Sequence, residues 1–277
     1  MHYTIIAGVV ASLATYSSAT GVLLPLYVYP SATSGDGATN WNPVFDAASA
    51  HSNVPWLVVM NVANGPGPTG APGNGDANYI AGVSRLNSYS NIKTIGYVHT
   101  AYAAAPMQEL QDNITTWSRW ATYSSANIAV QGIFFDEATS NNYAYLQQAI
   151  SFARSAFPNP ITTICNFGIS TPATFYSICD VVIAFESCLN CPGAFQYQSQ
   201  TTLSANIPSG YASQAAVIVH DFTGTSYDGQ AADETLLSSY SNTLRSNGVG
   251  WGYFCSAGYS SITTGPATVG QDANDFA

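Results

Sequence analysis

Apolar residues gather along this chain in eight short runs, each bounded by Gly, Pro or a polar cluster. They cover residues 21–30, 54–62, 92–100, 130–138, 161–168, 180–187, 215–223 and 248–256. The runs are rich in Val, Ile and aromatic residues and mostly continuous rather than alternating, the pattern of strands covered on both faces. Between them apolar positions return at helical spacing, in residues 42–51, 78–89, 107–123, 143–157 and 233–245. Stripes such as Leu110, Ile114 and Trp117, or Leu236, Leu237, Tyr240 and Leu244, are expected to face a core. Strands alternating with helices, joined by right-handed crossovers, imply a parallel sheet. Eight of them favour a single closed (β/α)8 barrel of the α/β class over an open sheet. Two places are thin. Only residues 170–179 separate the fifth and sixth runs, room for a turn or two of helix, and residues 260–277 are too rich in Gly, Thr and polar side chains to announce an eighth helix.

Charge and cysteines narrow the class. Lys and Arg total 5 against 15 Asp and Glu, a formal net charge of -10, which argues against a nucleic-acid partner, since phosphates need basic ones. Residues 5–13 form a short apolar segment followed by Ser17-Ser18-Ala19, the pattern of a signal peptide over residues 1–19 cleaved before Thr20. No later run reaches the roughly 18 apolar residues of a membrane span. The expectation is a secreted monomer, extracellular or in the cell wall, with residues 20–277 as one barrel domain. In that oxidising setting the cysteines suggest a Cys188–Cys191 bridge and a Cys165–Cys179 bridge, with Cys255 left over. A zinc site would need His partners at metal spacing, which are missing, so no metal or other cofactor is expected. Asn113-Ile114-Thr115 is a sequon for glycosylation of Asn113. Gly65, Gly67 and Gly70 formally match G-x-G-x-x-G, but Pro66 and Pro68 remove N–H donors a pyrophosphate would need. That loop is expected to form the rim of a site, the alternative being an inert surface loop.

Charged residues are scarce, so the run that ends Gly132-Ile133-Phe134-Phe135-Asp136-Glu137 stands out. A second run closes similarly, on Ala184-Phe185-Glu186-Ser187. Carboxylates at the C-terminal ends of barrel strands stand at the mouth, where such folds carry their chemistry. The acids could instead merely cap the following helices, but three of them on two similar strand ends weigh against that. The other strand ends would add Tyr27, Tyr29, Asn61, Tyr97, His99, Asn166, His220, Asp221 and Tyr253 as substrate contacts. Acids, amides and phenols together suit a sugar. Glycoside hydrolysis needs one carboxyl to protonate the leaving oxygen and a second as nucleophile or base. Glu137 is expected as the general acid, Asp136 as its orienting or substrate-positioning neighbour, and Glu186 as the second catalytic carboxylate. Asp136 and Glu137 should point to opposite sides of their strand, unless the strand end twists.

The segments LLPLYVYP, GIFFDEA and IAFES, in this order and spacing, resemble the spherulin-4 family (spherulation-specific family 4), over about residues 21–256. The resemblance implies a secreted (β/α)8 glycoside hydrolase that cleaves galactosaminogalactan at N-acetylgalactosamine-containing stretches; retention of configuration is a separate expectation for its two-carboxylate chemistry. It maps the family's acidic pair and later Glu onto Asp136, Glu137 and Glu186. A catalytically silent carbohydrate-binding or wall protein on the same barrel is the alternative, and the presence of all three acids favours the enzyme.

Overall fold

The computed structural model describes residues 19–33, 35–258 and 268–277. The expected signal segment, Ala19 apart, lies outside the described residues. Eight parallel strands close into one barrel in chain order. They are β1 (Gly21–Leu26), β2 (Trp56–Met60), β3 (Ile92–His99), β4 (Gly132–Asp136), β5 (Thr162–Asn166), β6 (Val181–Cys188), β7 (Ala215–His220) and β8 (Trp251–Phe254). Around them run α1 (Asn42–Ala50), α2 (Ala77–Leu86), α3 (Met107–Arg119), α4 (Tyr143–Ala156), α5 (Gln200–Asn206), α6 (Glu234–Ser246) and α7 (Val269–Phe276).

The continuous apolar runs are explained by two cores. Leu23, Leu57, Val59, Ile95, Phe134, Ile164, Ile183, Ala216 and Ile218 fill the barrel interior. Their neighbours, such as Val22, Leu24, Val58, Val98 and Phe135, face outward against the helices. Helix starts follow local chemistry: Asp76, Asn142 and Asp233 accept backbone N–H bonds at the N-termini of α2, α4 and α6. On α3, Trp117 lies directly on Gly96, where any Cβ would collide with the indole, and its Nε1 donates to the Tyr97 carbonyl at 2.7 Å. A site residue on β3 is thereby tied to the outer core.

The thin crossover between β5 and β6 is as short as the sequence suggests. It holds one 3-10 turn (Ala173–Ser177) and is closed by the Cys165–Cys179 bridge, with Cα atoms 6.0 Å apart. Two helices differ from expectation. α5 is only seven residues long, with Thr202 and Leu203 buried, too few apolar positions to show a stripe. The chain also does end in a helix, α7, which buries Val269, Ala273 and Phe276. Its pattern is obscured because Asp272, on the same face, is buried too.

Candidate active site

Residues two apart along a strand share a face, so the interior positions project upward into a defined set at the mouth. On β3 the face continues from Ile95 through Tyr97 to His99, on β4 from Phe134 to Asp136, and on β5 from Ile164 to Asn166. In the pairing register His99 lies beside Asp136. The floor is aromatic: Tyr27 meets Tyr97 edge-on at 5.8 Å, and Tyr97 stacks on Phe134 at 5.9 Å. Burial first, then the charge of Asp136, pushes the Tyr97 phenol far above its ordinary range. It therefore stays protonated and donates to Asp136 Oδ2 at 2.6 Å.

The second oxygen of Asp136 accepts from Asn166 Nδ2 at 2.8 Å, and the same nitrogen donates to Glu186 Oε2 at 2.5 Å. One buried amide thus bridges two carboxylates, whose bonded oxygens lie no further apart than the sum of those two bonds. The amide's oxygen has no partner among the described residues, so its bonding is spent on the acids.

Glu186 reaches this cluster through an irregularity. Ile183 pairs with Ala216 in the interior, and simple alternation would carry Phe185 inward and Glu186 outward. The β6–β7 register shifts between Ile183 and Phe185. After that bulge Phe185 pairs with Val217 on the outer face and Glu186 with Ile218 on the inner one.

Glu137 arrives by a different route. Phe135, two residues earlier, faces the outer core, but Glu137 leaves the strand at φ 51. That left-handed turn returns its carboxylate to the mouth, where Oε2 meets His99 Nε2 at 2.7 Å with both side chains about one-third exposed. Thr100 Oγ1 donates to the carbonyls of both Asp136 and Glu137, at 2.8 and 2.7 Å. Three successive non-glycine residues follow in the left-handed region, Ala101 at φ 49, Tyr102 at 54 and Ala103 at 68. Such conformations persist only where surrounding structure enforces them. Here the Tyr102 N–H donates to the Glu137 carbonyl at 2.8 Å, and the ring stands 65 % exposed. Burial, then Glu137, Asp136 and Glu186, raise its phenol pKa, which marks it as a neighbour of all three acids. Sequence reasoning missed Tyr102; nothing in A-Y-A announces a left-handed turn.

The remaining expected contacts divide. His220 Nδ1 meets Asp221 Oδ2 at 2.6 Å at the end of β7, and Asp221 turns at φ 48. Asn61 is half-buried at the end of β2 and its Oδ1 accepts the Gly65 N–H, so it folds the glycine-rich loop. Tyr29 lies on the rim, where its hydroxyl donates to Asp76 Oδ2 and accepts from Asn78, at the start of α2. Tyr253 departs from expectation: it is 1 % exposed, with its hydroxyl against the Cys255 thiol, so it is a core residue and not a mouth residue. Tyr253, two residues beyond Trp251 on this short strand, is already covered, which a strand-end rule applied to residues 248–256 could not register. Asn113 sits mid-helix in α3, half-buried and facing Gly65. Cys188 and Cys191 are bonded just beyond Glu186, and Cys255 is unbonded and buried. Among the described residues no cluster of three His, Cys, Asp or Glu side chains could hold a metal ion, and no helix is long and apolar enough to cross a membrane.

Comparison with known proteins gives this site a context. The family model Spherulin4, spherulation-specific family 4, matches residues 21–269. Spherulin-4 of Physarum polycephalum is 26 % identical over 219 residues, and the match spans 78 % of this chain but only 60 % of that relative. Sph3 of Aspergillus clavatus, solved in complex with GalNAc, superposes with a TM-score of 0.74 at 25 % identity, over 94 % of this chain and 98 % of its own. A chitinase from Rhizomucor miehei (TM-score 0.56, 10 % identity, 93 % and 99 % covered) shares the fold. So does an endo-beta-N-acetylglucosaminidase from Cordyceps militaris (TM-score 0.51, 11 % identity, 93 % and 90 % covered). The barrel is thus a glycoside-hydrolase-like one.

Proposed function

Because this chain belongs to the spherulation-specific family 4, we propose that it is an endo-acting glycoside hydrolase that cleaves an N-acetylgalactosamine-containing polysaccharide of the galactosaminogalactan type. The observation that carries this reading is the pair of carboxylates, Asp136 and Glu186, bridged by one Asn166 nitrogen. A retaining glycosidase needs two carboxyl groups about 5–5.5 Å apart, and the bridge holds these two within that reach. The GalNAc bound to the similar Sph3 supports the choice of sugar.

In this mechanism Asp136, fixed on both oxygens by Tyr97 and Asn166, attacks the anomeric carbon, and Glu186 gives its proton to the leaving oxygen. Water, deprotonated by Glu186, then releases the glycosyl group from Asp136. Glu137, the general acid expected from sequence, pairs with His99 at the edge of this centre, where it can hold a sugar hydroxyl or donate the proton in place of Glu186. An acetamido sugar can also supply its own nucleophile; Asp136 then orients the acetamide. The two disulfides fit an oxidising compartment and hence a secreted protein.

The test is turnover of an N-acetylgalactosamine-rich polymer, followed by mass spectrometry, for wild type and for Asp136→Asn, Glu137→Gln and Glu186→Gln. Removing the general acid should lower the rate by about 10²–10⁴-fold with unchanged melting. Trapping on Asp136 with a fluorinated sugar separates the covalent route from the acetamide one. Undiminished turnover in all three variants would move the chemistry to other residues, and no turnover by wild type would leave the silent carbohydrate-binding protein as the better reading.

A further inference from the structure

A groove runs beside the acids, on the far side of Glu186. Its volume is about 410 Å³, and it lies between Ile169 and Ser170 after β5, residues 195–198 after β6, and α5. That volume is within the range of ligand sites. The groove adjoins the strand ends that carry the acids, on the outer face of β6. Its floor, Phe185, is the residue before Glu186, and its near wall follows Gly168, whose carbonyl accepts the Glu186 N–H at 2.9 Å.

Two large apolar side chains stand exposed across it, Phe195 at 73 % and Ile169 at 53 %. Large apolar groups grouped on one open surface mark a binding face. Gln196 and Gln198 add amides to the walls, while the amide of Asn206 is held by the Ser170 N–H and the Thr202 carbonyl, and no lining residue is charged. An aromatic face for ring C–H groups, an apolar corner for a methyl group and amides for N–H and C=O groups match an acetamido sugar. A free amino sugar would bring an ammonium ion, and burying an unpaired charge is costly. Its charge would favour the acidic mouth instead.

We propose that this groove is a distal subsite for uncharged, N-acetylated sugar units of the same polymer chain that reaches Asp136 and Glu186. The proposal rests on the glycosidase reading for its substrate, but it is tested separately.

The kinetic experiment compares a trimer and an octamer of N-acetylgalactosamine as substrates for wild type, Phe195→Ala and Ile169→Ser. Both side chains are exposed, so melting should not change. The loss in kcat/KM should grow with chain length, reaching about three- to tenfold on the octamer, the size of one lost aromatic contact. Equal loss on both lengths, or none on either, overturns the subsite. Calorimetry of the octamer against Glu186→Gln, with and without Phe195→Ala, is the second arm. A matching loss of affinity is expected; unchanged affinity, or no binding, refutes the proposal. A de-N-acetylated octamer should show no response to Phe195→Ala, and a response equal to that of the acetylated octamer refutes the selectivity. If wild type cleaves nothing, the glycosidase reading fails and calorimetry alone decides the groove.

Discussion

At the scale of single residues the mouth depends on groups that do no chemistry themselves. Asn166 presents one nitrogen to two acids, and Thr100 holds the carbonyls behind Asp136 and Glu137. Tyr102 is the most telling of them. A left-handed conformation costs a non-glycine residue about 1–2 kcal/mol, yet the chain keeps three in a row, the middle one carrying an exposed ring beside the acids. Strain of this kind is characteristic of functional sites. Tyr102→Gly should therefore stabilise the fold by about 1 kcal/mol while raising KM severalfold, and Tyr102→Phe should retain wild-type KM. Melting curves and steady-state kinetics on the same preparations check both halves. A glycine variant that melts lower, or that binds substrate normally, would show the turn to be structural only.

Among the elements, the β5–β6 crossover departs most from the regular barrel. Where other crossovers lay an α-helix on the sheet, this one has a single 3-10 turn and little to pack. The Cys165–Cys179 bridge, 14 residues apart in sequence, ties its two ends together. Closing a loop of about 15 residues removes roughly 3 kcal/mol of unfolded-state entropy. The Cys165→Ala/Cys179→Ala variant should lose stability of that order. Because β5 and β6 carry Asn166 and Glu186, turnover should decline at temperatures well below its melting point. Denaturant unfolding and a temperature series of rates measure the two effects. The Cys188–Cys191 bridge spans too short a loop for a comparable entropic gain.

For the whole molecule, closure of the barrel draws on a buried acid. Asp272 on α7 is wholly buried and accepts the Phe254 N–H of β8 at 3.3 Å. Burial raises its pKa well above the carboxylate range, outweighing that hydrogen bond, with Asp275 adding to the rise. A carboxyl with a raised folded-state pKa contributes its stability fully below its unfolded pKa, and loses it as pH climbs through the folded value. Melting temperature should therefore fall as the medium is taken from acid towards alkaline pH. Asp272→Asn, which keeps an acceptor for Phe254 but cannot ionise, should flatten that slope and melt above wild type on the alkaline side. A variant with the wild-type slope would assign the pH dependence to other groups.

Much of this was legible in order along the chain. Eight continuous apolar runs and their intervening stripes determine a closed parallel barrel, because strands covered on both faces leave a periodicity that a single sequence retains. The pairings of Cys165 with Cys179 and of Cys188 with Cys191 follow from their closeness, and strand ends mark the acids as mouth residues. Which way those acids point was decided only in three dimensions. Alternation alone would turn Glu186 outward, and it comes inward because a bulge in β6 changes its pairing with β7. Glu137 should face away from Asp136, and a backbone turn at φ 51 brings it back. Tyr253 looks like a mouth residue and is sealed beneath Cys255. Each of these depends on neighbouring strands and on left-handed dihedrals, interactions between residues far apart in the chain or set by tertiary constraint. Local composition carries no record of them, whereas burial on two faces is written into every strand.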